Sequence, residues 1–126
     1  MQFGYTILYV ADVPATLAFY ETAFGLSRRF LHESGDFGEL DTGGTRLAFS
    51  SRALMSQLGK NPAAPRPEAP SFEIAFCCDD VAAAVSRAVH AGATLVQAPE
   101  QMPWGQTVAY VRDQEGFLVE VCTPVP

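Results

Sequence analysis

Residues 3–10 (FGYTILYV) are rich in aromatic and β-branched side chains and read as a strand. Asp12 then offers an N-cap, and Pro14 falls in a first helical turn, where its missing N–H costs nothing. Val13, Leu17, Tyr20 and Phe24 recur at i, i+4, i+7 and i+11, which predicts a helix with one apolar stripe, ended by Gly25. The second half repeats this plan. SFEIAFCC (71–78) is strand-like, Asp79 or Asp80 caps a helix with the stripe Val81, Val85, Ala88 and Val89, and Gly92 stops it. The matching blocks lie 67 to 68 residues apart: Ile7 with Ile74, Asp12 with Asp79 or Asp80, Gly25 with Gly92.

Further strands follow each helix. They cover 27–32, 37–41 and 45–50 in the first half, with DTGG (41–44) as a turn, and 93–97, 106–112 and 117–122 in the second, with DQEG (113–116) as a turn. The fold class is therefore α+β, with tandem βαβββ modules. One domain spans 1–126, divided into module one (1–50), a linker (51–70) and module two (71–126). The linker holds four prolines and little periodicity beyond a helical turn near Ala53–Leu58. A single module has too little core to stand alone, so two are expected to pack together, within one chain or between two. Helices cover only one face of each sheet. The other face is expected to curve round a cavity, and function is sought there.

Composition narrows the class. The 126 residues are 48% apolar, enough for a packed core and too many for a disordered chain. No stretch approaches the ~20 apolar residues of a membrane span. The opening MQFGYTILYVADV lacks a basic start and a small-residue cleavage site, so no secretory signal is expected. Cys77, Cys78 and Cys122 are an odd count, which argues for free thiols in a reducing, cytoplasmic setting. No CxxC pair or Cys/His cluster offers a structural zinc site. Net charge is −6, with five basic and six acidic residues over 1–60 against three and eight over 61–126. Without a basic run, neither nucleic acid nor an anionic membrane is an expected partner.

Strand alternation sorts the inner strands into two faces. Leu8, Val10, Leu47, Phe49, Ile74, Phe76, Val119 and Val121 are uniformly apolar and must meet the helices. Tyr5, Ile7, Tyr9, Arg46, Ala48, Ser50, Glu73, Ala75, Cys77, Leu118, Glu120 and Cys122 take the other face. That mixture of aromatics, one cation and two carboxylates suits a ligand site. Glu73 and Glu120 are able to accept hydrogen bonds from a cationic or amine-bearing ligand, or to share a proton, with one pKa raised. The plainer alternatives are solvation at a cavity mouth or an ion pair with Arg46. Trp104, between Pro103 and Gly105, suits stacking on a planar ligand or plugging a module or dimer contact. Tyr5, Tyr9 and Phe37 invite the same two readings. Cys77 and Cys122 have no histidine placed to activate them and read as small buried hydrophobes. His32 and His90 read as surface histidines.

VADVPATLAFYETAFGL (10–26) and PWGQTVAYVRDQEGFLVEV (103–121), within the tandem βαβββ plan, resemble the vicinal oxygen chelate superfamily, which includes glyoxalase I, extradiol dioxygenases, fosfomycin-resistance enzymes and bleomycin-resistance proteins. Metal-dependent members place ligands at four sheet positions, usually His or Gln, Glu or none, His, and Glu. The resemblance carries these to Tyr5, Ala48, Glu73 and Glu120, of which Glu120 alone fits well. Two carboxylates and a neutral phenol form a hard, weak set, and Ala48 ligates nothing.

The expectation is a small-molecule binding protein of the bleomycin-resistance type, a homodimer by the same resemblance, sequestering a planar, partly cationic ligand in a metal-free cavity. Tyr5, Tyr9, Arg46, Glu73, Trp104 and Glu120 would bind it, with no cofactor. The alternatives are a metal-dependent glyoxalase-like lyase, isomerase or dioxygenase with Tyr5, Glu73 and Glu120 as an atypical divalent-metal set, and a metal-free acid/base enzyme using the carboxylates. Glutathione is not an expected substrate, since Arg46 alone cannot hold its two carboxylates.

Overall fold

The alternation over 3–10 becomes β1 (Tyr5–Val10) in a computed structural model that describes residues 1–126. Asp12 then caps α1 (Val13–Phe24), its side chain accepting from the Ala15 N–H at 3.0 Å. Gly25 ends the helix at φ 70°, a left-handed conformation that glycine adopts without a Cβ penalty, and its N–H donates to Glu21 O. β2 (Ser27–Leu31), β3 (Phe37–Asp41) and β4 (Arg46–Ser51) complete a four-stranded sheet of order β1-β4-β3-β2. β1 runs parallel to β4, and the other neighbours are antiparallel. The short helix α2 (Arg52–Gln57) follows directly. Ser51 caps it by accepting from the Leu54 N–H at 3.0 Å, while its Oγ donates to Asp36 at 2.8 Å.

The second half repeats the arrangement with β5 (Ile74–Cys77), α3 (Val81–His90), β6 (Thr94–Gln101), β7 (Thr107–Arg112) and β8 (Leu118–Cys122), in the order β5-β8-β7-β6. The chain divides into two compact units, Met1–Ala64 and Pro65–Pro126. The boundary lies inside the proline-bearing stretch. Within the second unit, Pro65 and Pro67 sit over Gly116, whose φ of 106° and lack of a side chain admit them.

Asp80, and not Asp79, caps α3, accepting from the Ala83 N–H at 3.0 Å. The two N-caps therefore lie 68 residues apart, and this sets the register between the halves. Tyr5 corresponds to Glu73 and Ile7 to Ala75. The pairing of Ile7 with Ile74 fails, because Ile7 lies beside Ala48 whereas Ile74 lies beside Val119 in the helix-facing row. β6 also runs past residue 97, where the sequence suggested an end, through Pro99 to Gln101. It is an edge strand, and Pro99 falls in the break in register between Gln97 and Glu100, so its missing N–H interrupts no ladder bond.

Each helix covers one face of its sheet. In the first unit Leu8, Val10 and Phe49 are at most 1% exposed and lie on the α1 side, where the Tyr20 and Phe49 rings have centroids 5.1 Å apart. Gly38 shares this face: a Cβ there would lie 2.6 Å from Leu17 Cδ1 and 3.3 Å from Val13 Cγ1. In the second unit Val81, Val85 and Ala88 of α3 are buried, as are Ala109, Val111, Val119 and Val121 of the sheet. Val89, expected in the stripe, is 41% exposed. It sits eight residues after Val81, about 80° round the helix, and leaves the contact face.

Gly38→Ala is expected to cost the first unit about 1–3 kcal/mol, since Leu17 or the strand must shift. Asp80→Ala should cost the second about 1 kcal/mol through the lost cap. Urea unfolding of each variant against the parent measures both.

Candidate functional site

The sheet face opposite α1 carries the polar chemistry of the first unit. Ile7, Ala48 and Glu39 stand abreast across β1, β4 and β3, and Tyr5 stands beside Arg46. Arg46 Nη1 donates to Tyr5 Oη at 3.3 Å, and its guanidinium carbon lies 5.6 Å from the Tyr5 ring centroid. The same nitrogen is 3.6 Å from Glu39 Oε1, and Arg29 Nε is 3.8 Å from that oxygen. Glu39 is 8% exposed. A carboxylate that deep is tolerated because two guanidinium groups compensate the lost hydration. Arg46 thus has its acidic partner on a neighbouring strand. Tyr9 is half-buried beside Ser50, and its carbonyl accepts from Arg52 Nη1 at 3.3 Å.

In the second unit the corresponding row is Ala75, Glu120 and Tyr110 across β5, β8 and β7. Glu73 precedes β5 and is exposed. Tyr110 Oη lies 3.3 Å from Glu120 Oε2, and 3.5 and 3.4 Å from the two Glu73 oxygens. One phenolic proton serves only one carboxylate at a time, and the exposed Glu73 also meets solvent. The two carboxyls shift in opposite directions. Hydrogen bonding with Glu120 pushes Glu73 above the ordinary carboxylate range, assisted by burial and by the Glu120 charge. The hydrogen bond from Glu73 holds Glu120 below it. Burial, then the two carboxylate charges, pushes Tyr110 up to about 12.

Glu39 and Tyr110 were not singled out from the sequence. The alternation that sorted the inner strands, carried to β3 and β7, places both on the face opposite the helices. Trp104 is 59% exposed, and its Nε1 donates to Gln106 Oε1 at 2.8 Å, while the Gln106 amide donates to Thr123 O at 2.9 Å. His32 Nδ1 is bonded within its own turn to Ser34, and His90 is exposed at the end of α3. Cys122 is buried as expected, but Cys77 is exposed. Both lie on the face opposite α3, but β5 is an edge strand and β8 an inner one, so only Cys77 is left open to solvent. Burial and the Glu120 carboxylate push the Cys122 thiol up to about 12.

A catalytic divalent metal needs about three protein donors. No group of three or more His, Cys, Asp or Glu side chains is arranged to hold one in either unit. In the first, Ala48 has no donor atom and the Tyr5 phenol is occupied by a guanidinium, which repels a cation. In the second, Glu73 and Glu120 engage each other and a phenol that resists ionisation, which leaves two carboxyls and no third donor. Neither donor set fits a three-ligand site.

The two carboxyls make opposing contributions to stability. Glu73 holds its proton to higher pH when folded than unfolded, so its contribution is present below the unfolded pKa and is lost as pH rises through the raised one. Glu120 has the reverse sign and loses its contribution as pH falls through its lowered value. Glu73→Gln is therefore expected to raise the melting midpoint at neutral pH, and the gain should close as the medium is acidified through the carboxylate range. Thermal melts across that range check it. Tyr110→Phe removes a donor to both carboxylates and should raise both carboxyl pKa values, read by carbon-13 NMR titration.

Comparison with known proteins places the fold. Among curated proteins none matches the chain. A glyoxalase-related enzyme from Fulvimarina pelagi superposes with a TM-score of 0.84 at 23% identity, over 98% of this chain and 88% of its own. A glyoxalase/bleomycin resistance protein/dioxygenase family enzyme from Burkholderia phytofirmans PsJN gives 0.80 at 25% identity, over 98% of both chains. A protein of unknown function from Agrobacterium tumefaciens str. C58 gives 0.79 at 26%, over 98% of this chain and 94% of its own. Residues 2–121 match the family model itself, and the chain belongs to the Glyoxalase/Bleomycin resistance protein/Dioxygenase superfamily.

Proposed function

We propose that the protein binds a small planar molecule carrying a positive charge, and sequesters it without a metal, as the bleomycin-resistance branch of the superfamily name suggests. The observation that carries this reading is Tyr110 Oη set within 3.5 Å of both Glu73 and Glu120 on a sheet face that no helix covers. A cationic ligand offsets the charge of both carboxylates. It meets two carboxylates whose repulsion it relieves, so binding gains from a strain already built into the free protein. Trp104, exposed in the same unit, supplies a ring for a planar partner, since aromatic faces attract cations. The protein would work as a homodimer in the cytoplasm, and the bound molecule would leave unchanged.

The test is a thermal melt of EDTA-treated protein with a panel of planar aromatic cations, such as phenanthridinium dyes, and separately with Zn, Ni, Mn, Fe(II) and Co. A ligand that binds only the folded state adds about 2.7 kcal/mol at a hundred times its Kd. The expected result is a rise with aromatic cations, weakened about tenfold by Glu120→Gln, which removes one charge-assisted partner. A rise with one metal ion that Glu120→Ala abolishes would overturn the reading in favour of a metal-dependent lyase, isomerase or dioxygenase. Turnover of a bound compound by metal-free protein, lost in Glu120→Gln, would instead favour acid/base catalysis by the carboxylates.

A further inference from the structure

Cys77 and Cys122 stand directly opposite each other on the parallel strands β5 and β8. Their sulfurs are 3.9 Å apart. Cys77 is exposed, whereas Cys122 is buried and its sulfur lies 3.8 Å from the Phe76 carbonyl. Neighbouring strands lie about 4.8 Å apart, inside the span of roughly 4.4–6.8 Å that a disulfide requires between Cα atoms. Both side chains leave the sheet on the same face. Cys78, next along the chain, points to the other one and cannot compete for Cys122 without reversing the strand.

We infer that Cys77 and Cys122 form a reversible thiol pair that closes to a disulfide when the protein meets a peroxide. Access orders the chemistry. The exposed Cys77 sulfur attacks one peroxide oxygen, the O–O bond breaks, and the electron pair leaves on the other oxygen as hydroxide, which takes the Cys77 thiol proton to become water and leaves a sulfenic acid on Cys77. The Cys122 sulfur then attacks the Cys77 sulfur. The S–O bond breaks, the S–S bond forms, and the departing hydroxyl leaves as water with the Cys122 proton. In sum, two thiols and one peroxide give one disulfide and two waters. The sulfurs must close about 2 Å to reach bonding distance, which side-chain rotation supplies. Cys77 is exposed, so a thiol reductant reaches the link and reopens it. The pair lies one same-face step along the strands from Ala75 and Glu120. Closing it therefore alters the surroundings of the carboxylate face. The inference rests on strand register and sulfur geometry alone and is independent of any ligand.

The experiment treats the native protein with stoichiometric hydrogen peroxide, counts free thiols after denaturation, and maps peptides by mass spectrometry. The expected result is a fall from three thiols to one, a mass loss of two hydrogens, a Cys77–Cys122 peptide within one chain, and full recovery with a dithiol reductant. Cys78→Ser should keep the two-hydrogen loss. Cys77→Ser, at an exposed position that leaves folding intact by circular dichroism, should abolish it. Retention of all three thiols at a peroxide dose that oxidises free cysteine would overturn the inference. So would arrest of Cys77 as a sulfinic acid with Cys122 unlinked, a Cys77–Cys78 link, or a bond between chains.

Discussion

Each unit obeys one geometric constraint: one main helix of ten or twelve residues, α1 or α3, packs across a sheet four strands wide. A helix about 10 Å across covers the middle of one face and nothing of the other. The covered face must then be apolar at every second position of the inner strands, and it is, in Leu8, Val10, Phe49, Val119 and Val121. The intervening positions answer to no helix. They are free to hold the charges and phenols that a packed core excludes, so the polar chemistry of both units collects on that face. The small residue at Gly38 follows from the same packing, because α1 approaches β3 too closely for a side chain.

Two copies of this frame have come to hold opposite electrostatics. Ala48 and Glu120 occupy the same place in their sheets, as do Glu39 and Tyr110. In the first unit a buried carboxylate on the third strand is met by two guanidinium groups, and the site needs no further charge. In the second, two carboxylates converge on one phenol with no cation among them, and Glu73 is held above the ordinary carboxylate range. The second arrangement keeps its like charges without a cationic partner, and a cation has more to gain there than in the first.

The thiols extend that second face. Burial and the Glu120 carboxyl push the Cys122 thiol up, so its sulfur belongs to the same electrostatic group as the carboxylates. Its burial and the exposure of Cys77 divide the pair into a protected member and an accessible one.

How far the sequence alone carried depends on the range of each interaction. The helices, their aspartate caps, the glycine stops and the tandem βαβββ order were legible, because propensity, capping and period-two alternation act within a few residues. The sorting of the inner strands into two faces was legible for the same reason. What the alternation did not supply was partnership. That Arg46 is met by Glu39, that Tyr110 joins Glu73 to Glu120, and that Cys77 stands against Cys122 all depend on which strands lie side by side and in what register. The strand order β1-β4-β3-β2 joins positions some forty residues apart. Local pattern leaves that order undetermined, and a shift of one residue would send every one of these groups to the opposite face. Even the repeat spacing was settled only when Asp80 was fixed as the cap, since two adjacent aspartates satisfy the local rule equally well. The sequence determined which residues were free of the core. The tertiary structure decided which of them meet, because pairing across strands is a contact between distant parts of the chain.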